Sequence, residues 1–175
     1  MTLLEFTCKY NISNLADLMN CIRKYGKNLP VDCVYQAAEC LNPNRDLTAA
    51  FYTDTMICKE IMNELPSFDN KEHITILEPS VGAGNFIPFI AEKYKNKKIL
   101  ELYLVDIDKT ELEISKLIFE TFFREKYPNV AIIYIHDDYL KFPISGKRFD
   151  LVIGNPPFAK VKDKNLLREY RKNSI

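Results

Sequence analysis

From Thr53 onward, short β-branched runs alternate with longer amphipathic stretches, and no other feature of the chain constrains its fold as much. His73–Leu77, Ile99–Val105, Val130–Ile135 and Phe149–Ile153 read as strands, being rich in Ile, Val, Leu, Tyr and Phe and bounded by turn residues. Thr53–Leu65 sets Met56, Ile57, Ile61, Met62 and Leu65 at helical spacing and stops at Pro66. Asn85–Tyr94 and Lys109–Lys126 also read as helices, and Pro88 is tolerated because it falls in a first turn. Parallel strands need a crossover long enough to hold a helix, so the pattern predicts βαβ units and a parallel sheet of about four strands. The last strand is almost wholly apolar, as expected of one covered on both faces. A sheet ending there would leave an apolar edge open to pairing. The sheet is therefore expected to be incomplete, the chain being either an excised fragment or half of a protein completed elsewhere.

The first forty-five residues follow a different pattern. Ser13 or Asn14 caps a segment with Leu15, Leu18, Met19 and Ile22 on one face, ending near Gly26. A second helix starts after Pro30, with Val31, Val34, Tyr35 and Ala38 on one side, and stops at Asn42–Pro43. The Asn42–Asp46 stretch is the clearest linker. The expected organisation is a helical extension over residues 1–45 and an α/β domain over 46–175.

Charge and cysteine usage remove several function classes. Lys+Arg and Asp+Glu both number 24, so there is no net charge. A dedicated nucleic-acid-binding module carries a basic excess to neutralise phosphates, so either nucleic acid is not the substrate or its main docking surface lies elsewhere, and no target-recognition domain is expected here. The five cysteines form no CxxC pair and lie far from His73 and His136, so neither a metal site nor a disulfide framework is expected. They read as reduced, buried thiols of a cytoplasmic protein. No apolar run approaches the ~20 residues of a membrane span, and no membrane association is expected.

Doubly wound sheets bind ligands at the carboxyl ends of their strands, and four strand ends here carry unusual residues. The first is Glu78-Pro79-Ser80-Val81-Gly82-Ala83-Gly84, in which Gly82 and Gly84 permit a sharp turn and close approach of backbone to a ligand. It is not the G-x-G-x-x-G fingerprint, because Ile87 holds the third glycine's place. The second is Asp106-Ile107-Asp108: either acid is suited to capping the following helix, Asp108 better, while Asp106 is the better partner for ribose hydroxyls. In the third, His136-Asp137-Asp138-Tyr139, Asp138 either accepts from an adenine amine beside Tyr139 or belongs to a solvated turn. The fourth is Asn155-Pro156-Pro157-Phe158. Two prolines stiffen the backbone and remove two N–H donors, leaving the Asn155 side-chain oxygen and the Pro156 carbonyl to accept both hydrogens of an exocyclic amine. That localises the nitrogen lone pair, and Phe158 offers a face on which an extruded base stacks.

In order and spacing these segments resemble the N6-adenine DNA methyltransferases, and more narrowly their gamma class from restriction–modification systems. The resemblance spans roughly residues 48 to 160. That class carries Tyr-Thr-Pro before the first strand; here Phe51-Tyr52-Thr53-Asp54 stands in its place, with Asp54 for the proline. The resemblance implies a Rossmann-like class I methyltransferase sheet and S-adenosyl-L-methionine as cofactor. Thr53, Glu78, Ser80, Gly82 and Gly84 then surround the methionine end, Asp106 holds the ribose, Ile107 lies against the adenine, and Asp138 with Tyr139 takes its amine. Asn155, Pro156, Pro157 and Phe158 hold a target adenine flipped out of double-stranded DNA. A restriction endonuclease or a specificity module is the implied partner. The basic residues after Phe158 either follow a phosphate backbone or form a frayed, solvated end. The alternatives are an RNA-base or protein-glutamine N-methyltransferase, which also orient an sp² nitrogen, and a non-catalytic fragment that binds cofactor.

Overall fold

The computed structural model describes residues 1–43, 53–141, 147–156 and 163–173. Its helices are α1 (Leu3–Tyr10), α2 (Leu15–Tyr25), α3 (Val31–Cys40), α4 (Thr55–Glu64), α5 (Ile87–Lys93), α6 (Lys109–Phe122) and α7 (Lys164–Asn173). Its strands are β1 (His73–Glu78), β2 (Ile99–Asp106), β3 (Val130–His136) and β4 (Leu151–Val152). All pair in parallel, in the order β3-β2-β1-β4. The predicted sheet is present, and its order reverses at β1, so the ends of β1 and β4 flank the topological switch point.

Local chemistry sets the helix starts. Asn14, rather than Ser13, caps α2, its side chain accepting from Asp17 N at 2.9 Å, while the Ser13 hydroxyl donates to the Asp17 carboxylate. Asp54 caps α4 through Met56 N at 2.7 Å, and Asp108 caps α6 through Thr110 N at 2.8 Å. Helix α1 is stapled by a capping box between Thr2 and Glu5. Helix α6 ends at Phe122, short of the expected Lys126, because the chain turns there to bury Tyr127 ahead of β3.

Two cores share helix α6. One lies between the sheet and helices α4–α6, where Ile74, Ile76, Leu100 and Leu102 meet Ile87, Ile90 and Phe119. The other joins the N-terminal helices to α6: Phe6, Leu18, Ile22 and Val34 pack with Ile114 and Ile118. Each such side chain contributes about 1.5–3 kcal/mol on burial. Ala83, from the glycine turn, belongs to this second core, so the extension grips the turn itself. The expected boundary at residue 45 falls in 44–52, outside the described residues.

Three expectations are corrected. Strand β4 has two paired residues rather than five, although Asp150 N to Thr75 O and Ile153 N to Leu77 O continue the ladder by one bond at each end. Val152 is 56% exposed, not covered. Cys21, Cys33 and Cys58 are buried thiols, but Cys8 and Cys40 are exposed, lying on the outer faces of short amphipathic helices. Within the basic stretch after Phe158, Lys164–Asn173 forms helix α7. No helix among the described residues is long and apolar enough to cross a membrane.

With so short a ladder, side-chain contacts anchor β4. The Asp150 carboxylate accepts Thr75 N at 3.0 Å and the Thr75 hydroxyl at 3.3 Å, and pairs with Lys71. The Lys71 ammonium, followed by those donors, holds the Asp150 carboxyl below its ordinary range. Asp150→Ala is expected to lower stability by about 1–3 kcal/mol, the cost of orphaning donors to a charged acceptor, measured by urea unfolding.

Candidate functional site

The four singled-out strand ends converge at one edge of the sheet. Gly82 adopts φ +53°, and a side chain built on it would meet nothing within 4 Å, so the turn presents bare backbone to open space. Gly84 has φ +86°, and a Cβ there would lie 2.5 Å from Ser115 Oγ and 2.6 Å from Ile87 Cδ1. One glycine leaves room for a ligand, and the other lets helix α6 close on the turn. The end of β4 seats against the same turn, with a Cβ on Gly154 falling 3.2 Å from Pro79 Cδ and 3.6 Å from Ser80 Oγ.

Asp106 ties the second strand end to the first. Its Oδ2 accepts Gly82 N at 2.8 Å and its Oδ1 accepts Asp108 N at 2.9 Å. Burial raises its pKa, partly countered by these N–H donors. Glu78, at the end of β1, is 2% exposed and its Oε2 has no partner among the described residues. Burial, then the neighbouring Asp106, pushes its carboxyl well above the usual range. Ser80 Oγ and Asn85 Oδ1 are likewise buried and unpartnered. Leaving such atoms unsatisfied is costly, so the turn is arranged to receive a ligand with its own hydrogen-bonding groups. A buried carboxyl group beside unpartnered Ser80 and Asn85 oxygens suits a ligand that brings its own donors.

Ile107 is 57% exposed and Tyr139 36% exposed, so both have faces free for contact. The loop after β3 is held to that after β2 by Asp137 N to Asp106 O at 3.0 Å and by His136 Nε2 with Ile107 O at 3.1 Å. Asp138 is engaged from within the protein: Oδ1 accepts Leu140 N at 3.1 Å and Oδ2 accepts the Tyr170 hydroxyl of α7 at 2.8 Å. Asn155 is half-buried, and its Nδ2 donates to Thr53 Oγ1 at 3.1 Å; Thr53 is 7% exposed. With the nitrogen committed, the Asn155 carbonyl oxygen is the end left to accept. Pro156 is exposed, whereas Pro157 and Phe158, like Phe51 and Tyr52, lie outside the described residues.

Sequence reasoning missed a buried polar seam beneath the turn. Asn42 donates to Glu111 Oε1, and the Tyr35 hydroxyl donates to the Gly84 carbonyl at 3.5 Å. Glu111 reads from the sequence as an ordinary acid complementing a helix N-terminus, yet it is 6% exposed. Burial lifts its carboxyl to about 7, opposed by the Asn42 hydrogen bond and reinforced by Asp106 and Asp108. A separate cavity of about 700 Å³ opens between α3, α4 and α5, lined by Tyr35, Met62, Asn85 and Phe89 among others. Neither Asp106 nor Asn155 faces it, so the strand-end cleft is the candidate site. Because Glu111 favours its protonated form only when folded, its contribution to stability is complete below about 4.5 and disappears as pH rises through about 7. Glu111→Gln is expected to flatten the pH dependence of urea stability across that window.

Residues 42–174 match the family model described as N-6 DNA Methylase. Among curated proteins the chain is similar to the type II methyltransferase M.CvrRI of Paramecium bursaria Chlorella virus XZ-6E, 32% identical over 108 residues, covering 62% of this chain and 24% of that protein. It is also similar to the modification methylase CviBIII of Paramecium bursaria Chlorella virus NC1A, 27% identical over 109 residues, covering 62% and 26%. The chain thus spans about a quarter of the length of these relatives. In fold it is similar to a candidate class I S-adenosylmethionine-dependent methyltransferase of Listeria monocytogenes, with a TM-score of 0.54 at 14% identity over 96% of this chain and 45% of the other. A modification subunit of a candidate type I restriction enzyme from Vibrio vulnificus YJ016 gives a TM-score of 0.53 at 15% identity, over 81% and 32%.

Proposed function

Because the chain belongs to the N-6 DNA methylase family, we propose that it carries the cofactor-binding and catalytic machinery of a restriction–modification methyltransferase acting on N6 of adenine in double-stranded DNA. The observation that carries this reading is the Asn155 amide, tied through Nδ2 to Thr53 at 3.1 Å at the switch point. The residues of the glycine turn suit S-adenosyl-L-methionine. Glu78, with its unpartnered Oε2, and Ser80 would hold the methionine end, where the backbone of Gly82 and Gly84 allows close approach. Asp106 would take the ribose, with Ile107 and Tyr139 against the adenine and Asp138 toward its amine. The cofactor supplies an electrophilic methyl group when bound.

The chain's own residues address the other half of the problem, the poor nucleophilicity of an aromatic amine. Accepting the two amine hydrogens on Asn155 Oδ1 and the Pro156 carbonyl localises the nitrogen lone pair. As positive charge builds on that nitrogen, both acceptors bind it more strongly than in the ground state. Thr53 keeps the amide in the orientation that presents oxygen rather than nitrogen. Pro157 hardens the corner, and Phe158 stacks on the extruded base. A restriction endonuclease or a specificity module would be the functional partner.

Asn155→Ala is expected to lower single-turnover methyl transfer to duplex DNA by about 10²–10³-fold, in the range for removing one transition-state hydrogen bond. Binding of S-adenosylhomocysteine, measured by calorimetry, should stay within a few-fold. Parallel loss of both would make the motif structural and overturn the assignment. Thr53→Val is expected to slow transfer about tenfold, the worth of one hydrogen bond, and Thr53→Ser to restore it, read in the same assay.

A further inference from the structure

Several lysines and Arg124 among the described residues are already matched. Lys71, Lys95, Lys98, Arg124, Lys126 and Lys141, among others, each lie against a carboxylate. Helix α7 departs from that pattern. Successive helical residues are turned by about 100°, so Lys164, Arg168, Arg171 and Lys172 fall within an arc of about 100° on one side. All four are exposed, and none has a carboxylate partner among the described residues. The two acids of the segment are drawn elsewhere: Asp163 accepts the N–H groups of Asn165 and Leu166 at the helix start, and Glu169 pairs with Lys141 at 3.1 Å.

The opposite face of α7 anchors the helix. Leu166, Leu167 and Tyr170 are half-buried, and the Tyr170 hydroxyl donates to Asp138 at 2.8 Å. With the Lys141–Glu169 pair, this holds α7 beside the carboxyl end of β3, on the sheet edge that carries the glycine turn and Asn155. A chain with no net charge thereby presents a cation-only stripe next to its candidate site.

We propose that the stripe of Lys164, Arg168, Arg171 and Lys172 tracks the phosphate backbone of duplex DNA and docks it against the site; the choice of DNA rests on the function proposed above. Eight residues of helix rise about 12 Å, and consecutive phosphates of one strand step about 3.4 Å along the duplex axis and farther through space, so the stripe reaches about two to three consecutive phosphates. The contact carries no sequence information, since backbone contacts position a protein without reading bases.

The test is the salt dependence of binding to a fluorescein-labelled duplex oligonucleotide, followed by anisotropy with the full chain and with an R168Q/R171Q/K172Q variant. Each phosphate contact adds about 0.9 to the slope of log K against log salt. The variant should therefore lose about 2 to 3 from that slope and bind at least tenfold more weakly at low salt. Its binding of S-adenosylhomocysteine and its circular dichroism should be unchanged. An unaltered slope would overturn the proposal. So would tighter binding, with the same change in slope, to an RNA duplex of equal length, which would assign the stripe to RNA. If the wild-type chain methylates no DNA yet the slope falls as stated, the proposed function fails and the stripe stands. Methyl transfer together with an unaltered slope gives the reverse.

Discussion

Gly82 donates its N–H to one oxygen of Asp106 at 2.8 Å while Asp108 donates to the other at 2.9 Å, so one carboxylate joins the ends of two neighbouring strands. Gly82 can point its N–H there because it sits at φ +53°, a conformation that side chains disfavour. The clasp fixes the turn beside Glu78, Ser80 and Asn85, which keep buried polar atoms with no partner among the described residues. It also opposes the rise that burial imposes on the Asp106 carboxyl. If the carboxylate were lost, two N–H donors would be stranded and the turn would lose its register with β2.

Helix α6 transmits that arrangement to the rest of the molecule. Its sheet-facing side buries Leu112 and Phe119, and its outer side buries Ile114 and Ile118 against the N-terminal helices. Ala83 enters the outer core from the turn itself, Tyr35 reaches the Gly84 carbonyl, and Asn42 reaches Glu111. The extension is thus a wall behind the turn, and the shape of the turn depends on residues more than forty positions upstream. Such a wall limits what can change there: a Cβ at Gly84 would strike Ser115 and Ile87.

The family match and the fold match speak at different levels. Identities of 14% and 15% to solved structures establish a shared sheet and nothing finer. The assignment to the N-6 DNA methylase family comes from residues 42–174, the stretch that holds all four strand ends. The N-terminal helices lie almost wholly ahead of that stretch. They are tied to it physically, through the shared core on α6 rather than through the motif pattern.

Much of this architecture was legible along the chain. The periodicities of His73–Leu77, Ile99–Val105 and Val130–Ile135 announced three strands, and Gly82, Gly84 and the Asn-Pro-Pro run marked where the proposed site would lie. These are local signals: strand period, turn chemistry and capping depend on residues a few positions apart. The tertiary structure alone decided that β4 would be held chiefly by Asp150 and that Glu111 would be buried under Asn42. It also decided that Asp138 would meet Tyr170 and that Asn155 would turn its nitrogen toward Thr53. Each of these joins residues 32 to 102 positions apart. Their partners are ordinary polar side chains until packing removes water and leaves each with one neighbour to bond.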